Sequence, residues 1–129
     1  MILDSSAVVA IVLRESDHAM LLAHLAGAVE VGIGTPTLAE TGIVLTARLG
    51  MSGRTLLARF LQESGLAVLP FEDKHWRTAI DAFLRFGKGR HPAALNFGDC
   101  LTYATARVAN RELLALGGDF ARTDLALVT

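Results

Sequence analysis

Four acidic residues stand where a carboxylate could do more than solvate a surface: Asp4, Glu40, Asp99 and Asp119. Asp4 ends the apolar start Met1-Ile2-Leu3, and the hydroxyls of Ser5 and Ser6 follow it. Glu40 lies early in an apolar stretch opened by Thr35-Pro36. Asp99 sits in Asn96-Phe97-Gly98-Asp99-Cys100, and Asp119 in Gly117-Gly118-Asp119-Phe120. Each alone has an ordinary explanation. Asp caps helix N-termini, and an acid in a first turn is favoured by the helix dipole. The set asks for more. Two carboxylates about 5 Å apart repel by roughly 3 kcal/mol at an effective dielectric near 20. Brought together, they need raised pKa values or a cation. A hard divalent ion, Mg²⁺ or Mn²⁺, suits such oxygens. It can activate water and stabilise the charge that develops on a phosphodiester during in-line displacement.

Other chemistries find less support. His18 and His24 are six residues apart, whereas paired helical histidine ligands stand at i, i+4. The one cysteine, Cys100, has no partner and reads as a small buried apolar residue. No G-x-S-x-G element or Cys/His arrangement supports covalent catalysis. The stretch Phe86-Gly87-Lys88-Gly89-Arg90-His91-Pro92 reads as a flexible basic loop, either simply solvated or a phosphate-contacting flap. It lacks the full phosphate-loop spacing. No lysine follows Lys88, which removes the late lysine that a phosphoacceptor receiver domain needs.

An alternation of strands and helices must place the acids. Ile2–Asp4 is the first expected strand, followed by helix from Ser6 to Arg14 and from Glu15 to Gly27. Val29–Ile33 is a strand. Thr35 as N-cap and Pro36 at the first helical position then open a helix that Gly50 stops. Ser52 caps Arg54–Glu63, with Leu56, Leu57, Phe60 and Leu61 turned inward. After a strand at Leu66–Leu69, Asp73 opens a helix through Trp76, Ile80, Phe83 and Leu84, with Trp76 expected in the core. A helix from Asn96 to Ala109 puts Asn96, Asp99 and Tyr103 on one face. Leu113–Leu116 is a strand, and Leu125–Val128 a last strand or extended tail. This order argues a parallel sheet with helices on both faces. Right-handed crossovers bring its strand ends to one edge, where open α/β sheets bind ligands.

At 129 residues the chain makes one domain, 1–129, long enough to bury a core. Hydrophobic residues make up 52% and aromatics 6%, so the core is aliphatic and apolar surface is left for a partner. A net charge of −1 exerts no global pull on nucleic acid, which leaves only a local patch. A single cysteine excludes an internal disulfide and fits a reducing compartment. Asp4 interrupts the apolar start, and no run approaches the roughly 18 residues of a membrane span. The expectation is a cytoplasmic protein with no membrane partner.

From end to end the chain resembles the PIN-domain ribonucleases, specifically the VapC toxins of type II (VapBC) toxin–antitoxin modules. The likeness rests on Asp4-Ser5-Ser6-Ala7, Leu38-Ala39-Glu40-Thr41, Leu95-Asn96-Phe97-Gly98-Asp99-Cys100, and Gly117-Gly118-Asp119-Phe120 with Arg122-Thr123-Asp124, in that order. Phe86–His91 also looks like a segment found in part of the family. The resemblance implies a PIN-like three-layer α/β/α sandwich with a mainly parallel central sheet of four or five strands. It implies an endoribonuclease dependent on Mg²⁺, with Mn²⁺ as the substitute, that cuts tRNA or rRNA to arrest growth. A cognate VapB-type antitoxin would neutralise it. By position, Asp4 and Asp99 match the main metal ligands. Glu40 matches the acid that completes the site directly or through water. Asp119 matches the fourth acid, which serves a second ion. Ser6 matches the hydroxyl that supports the first aspartate, and Asn96 a polar residue lining the pocket.

Arg85, Lys88 and Arg90, with Arg107, either hold RNA phosphates or are ordinary surface charge. The apolar surplus predicts a homodimer and a groove for an amphipathic antitoxin helix. The alternative is a catalytically silent PIN-fold module that binds metal or RNA. The chain departs from the family pattern in three places. Ser5 stands where Thr is more usual, and Gly118 is less polar than usual beside the fourth acid. Asp124 is an additional acid that competes with Asp119 for its role; the glycine turn favours Asp119.

Overall fold

Ile2 and Leu3 are adjacent and fully buried, yet they belong to different cores. Successive strand side chains point to opposite faces of a sheet, so each of the two serves one helical layer. In the computed structural model, which describes residues 1–128, the elements follow the alternation expected from the sequence. They are β1 (Ile2–Leu3), α1 (Ser5–Val12), α2 (His18–Gly27), β2 (Gly32–Gly34), α3 (Thr35–Leu49), α4 (Met51–Ser64), β3 (Ala67–Leu69), α5 (Asp73–Phe86), α6 (Phe97–Ala109) and β4 (Leu113–Leu114). A 3₁₀ turn, Phe120–Arg122, comes after them. Ile2 and Leu113 pack with Ala82, Phe86, Tyr103 and Phe120 on the α5–α6 side. Leu3 and Leu114 pack with Val8, Leu21, Leu45 and Leu57 from α1 to α4 on the other. This is a three-layer α/β/α sandwich.

All pairings in the four-stranded sheet are parallel, in the order β3-β2-β1-β4. The chain steps outward from β1 to β3, then crosses back to lay β4 on the free side of β1. The order therefore reverses between β1 and β4, the kind of point where an open α/β sheet leaves a crevice at its carboxyl edge. Leu127 makes one parallel bridge to Leu113, which is the extended tail of the sequence reading. It is held by Leu113 N–H to Ala126 O and Val128 N–H to Leu113 O, both 2.9 Å.

Several boundaries differ from the sequence reading. Gly34 rather than Thr35 is the N-cap of α3, because β2 runs into the helix with no loop between them. Gly50, at φ +64°, both ends α3 and caps α4, so Ser52 lies inside α4. Of the four residues expected to face inward from α4, only Leu57 is buried, and Leu56 is exposed. Trp76 is not a core residue: it is 47% exposed. Its indole N–H donates to Asp73 Oδ1 at 3.2 Å, and the Arg77 guanidinium lies over the ring. Helix α5 turns its smaller side inward through His75, Ala79 and Ala82, ending on Phe86, and leaves Trp76, Ile80, Phe83 and Leu84 exposed. Small side chains let two helix axes approach, and α5 packs on α6.

The basic segment after α5 is closed on itself rather than loose. Lys88 N–H donates to Leu95 O and Leu95 N–H to Phe86 O, both at 3.0 Å. His91 Nδ1 accepts from Ala93 N–H at 3.0 Å, and its ring stands edge-on to Phe86.

Candidate active site

Where β1 ends, Asp4 has an extended backbone and caps α1. Its Oδ2 accepts from Ser6 N–H at 3.1 Å and from Ser6 Oγ at 2.6 Å. The same Ser6 oxygen accepts from Leu116 N–H at 3.0 Å. One hydroxyl thus ties the end of β1 to the segment that follows β4. Asp4 is buried, 5% exposed.

Asp99 occupies the first turn of α6. Its Oδ2 accepts from Asn96 N–H at 3.0 Å, while Asn96 Oδ1 accepts from Asp99 N–H at 2.8 Å. This reciprocal capping box fixes both side chains. Asn96 therefore orients Asp99, and it also borders an apolar groove between α5 and α6.

Glu40 reaches the same place from α3. A Cβ built on Gly98 would stand 2.6 Å from Glu40 Oε2 and 3.0 Å from Oε1. The carboxylate rests on a bare stretch of backbone at the N-terminus of α6, where orphan N–H groups and the helix dipole favour negative charge. Buried threonines hold the two helices together. Thr37 Oγ1 of α3 and Thr102 Oγ1 of α6 are 2.9 Å apart, and within α3 Thr41 Oγ1 donates to Thr37 O at 2.7 Å. Asp119 follows Gly117, which is at φ +86°, and precedes the buried Phe120.

Three of the acids act on the fourth. The Asp99 carboxyl is pushed up to about 6, first by burial and then by the charges of Asp4, Asp119 and Glu40, against the hydrogen bond from the Asn96 backbone, which pulls it down. Among the described residues none of the four is ion-paired. They are neighbours without being a closed cage: among the described residues no three His, Cys, Asp or Glu side chains approach as a ready metal-binding group. Asp4 and Asp99 are each turned partly onto a backbone N–H.

Asp124 is different. Tyr103 OH donates to its Oδ1 at 2.6 Å, Arg85 reaches its Oδ2 at 3.1 Å, and the Arg107 guanidinium closes on the same oxygen. Burial pushes its carboxyl up, but the Tyr103 hydroxyl and the two arginines outweigh that and hold it below the usual carboxylate range. Arg85 and Arg107 are thereby engaged. Arg90 Nε donates to Leu84 O at 3.3 Å, with its guanidinium over Phe83. Lys88 has no ion pair among the described residues and borders the α5–α6 groove.

Sequence reasoning did not find the Thr37–Thr102 seam, the Tyr103–Asp124 bond or the role of Gly98. Only Gly98 left a signal: a glycine within a helix is about 1 kcal/mol worse than alanine, which points to a close approach.

The sequence profile of the PIN domain matches residues 1–125. Ribonuclease VapC36 of Mycobacterium tuberculosis is 55% identical over 126 residues, spanning 97% of this chain and 91% of the relative. Ribonuclease VapC of Mycolicibacterium smegmatis is 38% identical over 128 residues, spanning 99% of both. Two solved structures share the fold. One is Mycobacterium tuberculosis VapC20, described as a sarcin–ricin loop cleaving toxin, with TM-score 0.80, 20% identity, and 98% and 97% of the two chains covered. The other is VapBC2 from Rickettsia felis, bound to a DNA fragment from their promoter, with TM-score 0.79, 19% identity, and 98% and 96% covered. With acids from β1, α3, α6 and the β4 turn set around one sheet edge, the chain belongs to the PIN domain family, among the VapC ribonucleases.

Proposed function

We propose that this protein is a Mg²⁺-dependent endoribonuclease toxin that hydrolyses phosphodiester bonds of tRNA or rRNA and arrests growth until a VapB-type antitoxin neutralises it. The observation that carries the reading is Asp99: a half-buried carboxyl raised to about 6, with Asp4, Asp119 and Glu40 acting on it and no paired cation among the described residues. The available donors are hard oxygens, which fit Mg²⁺ or Mn²⁺ and not a thiolate- or imidazole-seeking metal. Asp4 and Asp99 would hold the ion, and Glu40 and Asp119 would complete the site directly or through water. The bound ion supplies an acidified water and stabilisation of the charge developing on phosphorus. The protein's own residues prepare for it. Ser6 fixes one oxygen of Asp4, Asn96 fixes one oxygen of Asp99, and Gly98 lets Glu40 close in. Lys88 and Arg90 would meet RNA phosphates, while Arg85 and Arg107 mainly serve Asp124.

The partners follow from the surface. Exposed Ile43, Ile80, Phe83 and Phe97 border two apolar grooves of about 480 and 560 Å³, which suit a homodimer face. A third groove of about 430 Å³ combines Leu22, Leu56 and Phe60 with Arg14 and Arg59, which suits an amphipathic antitoxin helix with acidic flanks. A cytoplasmic site of action follows from the RNA substrate. Among the described residues no helix is long and apolar enough to cross a membrane.

The alternative reading is a silent PIN-fold module that binds metal or RNA, against which the full set of four acids argues. Purified protein mixed with total cellular RNA separates the two. Cleavage restored by Mg²⁺, blocked by EDTA and lost in Asp99→Asn is the expected result. A folded wild-type chain that binds Mn²⁺ or RNA but never cuts would establish the silent module.

A further inference from the structure

Asp119 is separated by two unpacked glycines from the anchor at Leu116. It is preceded by Gly117 and Gly118, and a Cβ on either would meet no atom within 4 Å. Behind it the nearest anchor is Leu116, whose N–H donates to Ser6 Oγ at 3.0 Å, and the rest of the hold on Asp119 comes after it in the chain. Phe120 is buried, and Thr123 closes the 3₁₀ turn, its N–H at 3.0 Å and its Oγ1 at 2.7 Å from Phe120 O. Asp124 comes next, gripped by Tyr103, Arg85 and Arg107. Tyr103 lies one helical turn beyond Asp99 on α6, and Arg107, which also donates to Tyr103 OH at 3.2 Å, lies one turn further. The helix that carries Asp99 therefore also grasps the segment that carries Asp119. The arginine pairs are half exposed and worth little by themselves. The phenol, 2% exposed, gives the grip its geometry.

We propose that Asp124 is a positioning residue: its latch onto Tyr103, Arg85 and Arg107 sets where Asp119 stands relative to Asp99, and so sets the divalent-cation affinity of the acidic site without touching the ion. The inference rests on reading that site as a cation site. It also gives Asp124 a role other than rival to Asp119.

The test is calorimetric titration of Mn²⁺ into the metal-free full chain, comparing wild type, Asp124→Asn, Asp119→Asn, the double variant and Tyr103→Phe, with thermal unfolding of each. Asp124→Asn is expected to weaken Mn²⁺ binding about tenfold, the lower end of what losing an outer-shell partner costs. In the Asp119→Asn background it should produce no further loss, because the two residues act as one unit. Tyr103→Phe should give a smaller loss in the same direction, and it keeps the test decisive if Asp124→Asn does not fold. A merely structural role would lower the unfolding temperature and leave the Mn²⁺ affinity of the folded protein unchanged. Unaltered affinity in the folded variants, or an equal loss with and without Asp119, overturns the inference while the cation site stands. A wild-type chain that takes up no Mn²⁺ removes both.

Discussion

The Glu40 carboxylate rests on Gly98, its Oε2 2.6 Å from where a Cβ would begin. Any side chain at position 98 must displace that carboxylate, which is the flexible end of Glu40, rather than the backbone beneath it. Stability and activity should therefore separate in Gly98→Ala. Alanine gains up to about 1 kcal/mol of helix propensity, so the unfolding temperature should hold or rise. RNA cleavage should fall by about a hundredfold, the penalty typical of a 1 Å misplacement. Circular dichroism melting and a cleavage time course check both halves.

The raised Asp99 carboxyl, at about 6 against an ordinary 3.8, sets a pH dependence. Between those values the folded state binds more protons than the unfolded state, so stability is fully present below the lower value and is lost as pH rises through the upper one. Melting temperature without metal should decline from about pH 4 to about pH 7 by this group's contribution, and that part of the slope should vanish in Asp99→Asn. A cation competes with the proton. Mn²⁺ affinity and cleavage should therefore rise with pH through the same window.

Ser6→Ala removes a hydroxyl that serves two partners, Asp4 Oδ2 and Leu116 N–H. Leaving a partly buried donor unmatched costs about 1–3 kcal/mol, which urea unfolding should register. Mn²⁺ affinity should drop as well, because Asp4 loses the contact that orients it. Ser6→Thr should restore both, since it keeps the hydroxyl.

Ile80 is 51% exposed on the outward face of α5. Ile80→Lys should change monomer stability by no more than about 0.5 kcal/mol, as surface substitutions do. A homodimer built on this face should fall apart, which sedimentation at matched concentrations would show as a halved mass.

Much of the candidate site could be placed before any coordinates, for a physical reason. Asp4, Asp99 and Asp119 stand at element boundaries, where apolar runs stop and turn or capping residues begin, and such boundaries are local. Glu40 follows from a Pro-marked helix start. Trp76 misled because α5 has two apolar sides, one bulky and one small, and periodicity does not say which of them packs. The tight approach of α5 to α6 decided for Ala79 and Ala82. The Asp124 latch and the threonine seam were invisible because their partners are 21, 39 and 65 residues apart. Nothing in a one-dimensional pattern pairs a tyrosine with a particular distant aspartate.

Ser6 Oγ joins Asp4 to Leu116 across 110 residues of chain, and β1 finds one of its two neighbours only in β4. A polypeptide still emerging from the ribosome has its first carboxylate long before its last. Until synthesis has passed residue 119 the sheet edge lacks the β4 wall and the pocket lacks one of its four acids. By the same logic, a protease that removes the segment after β4 would take the fourth acid from the proposed site.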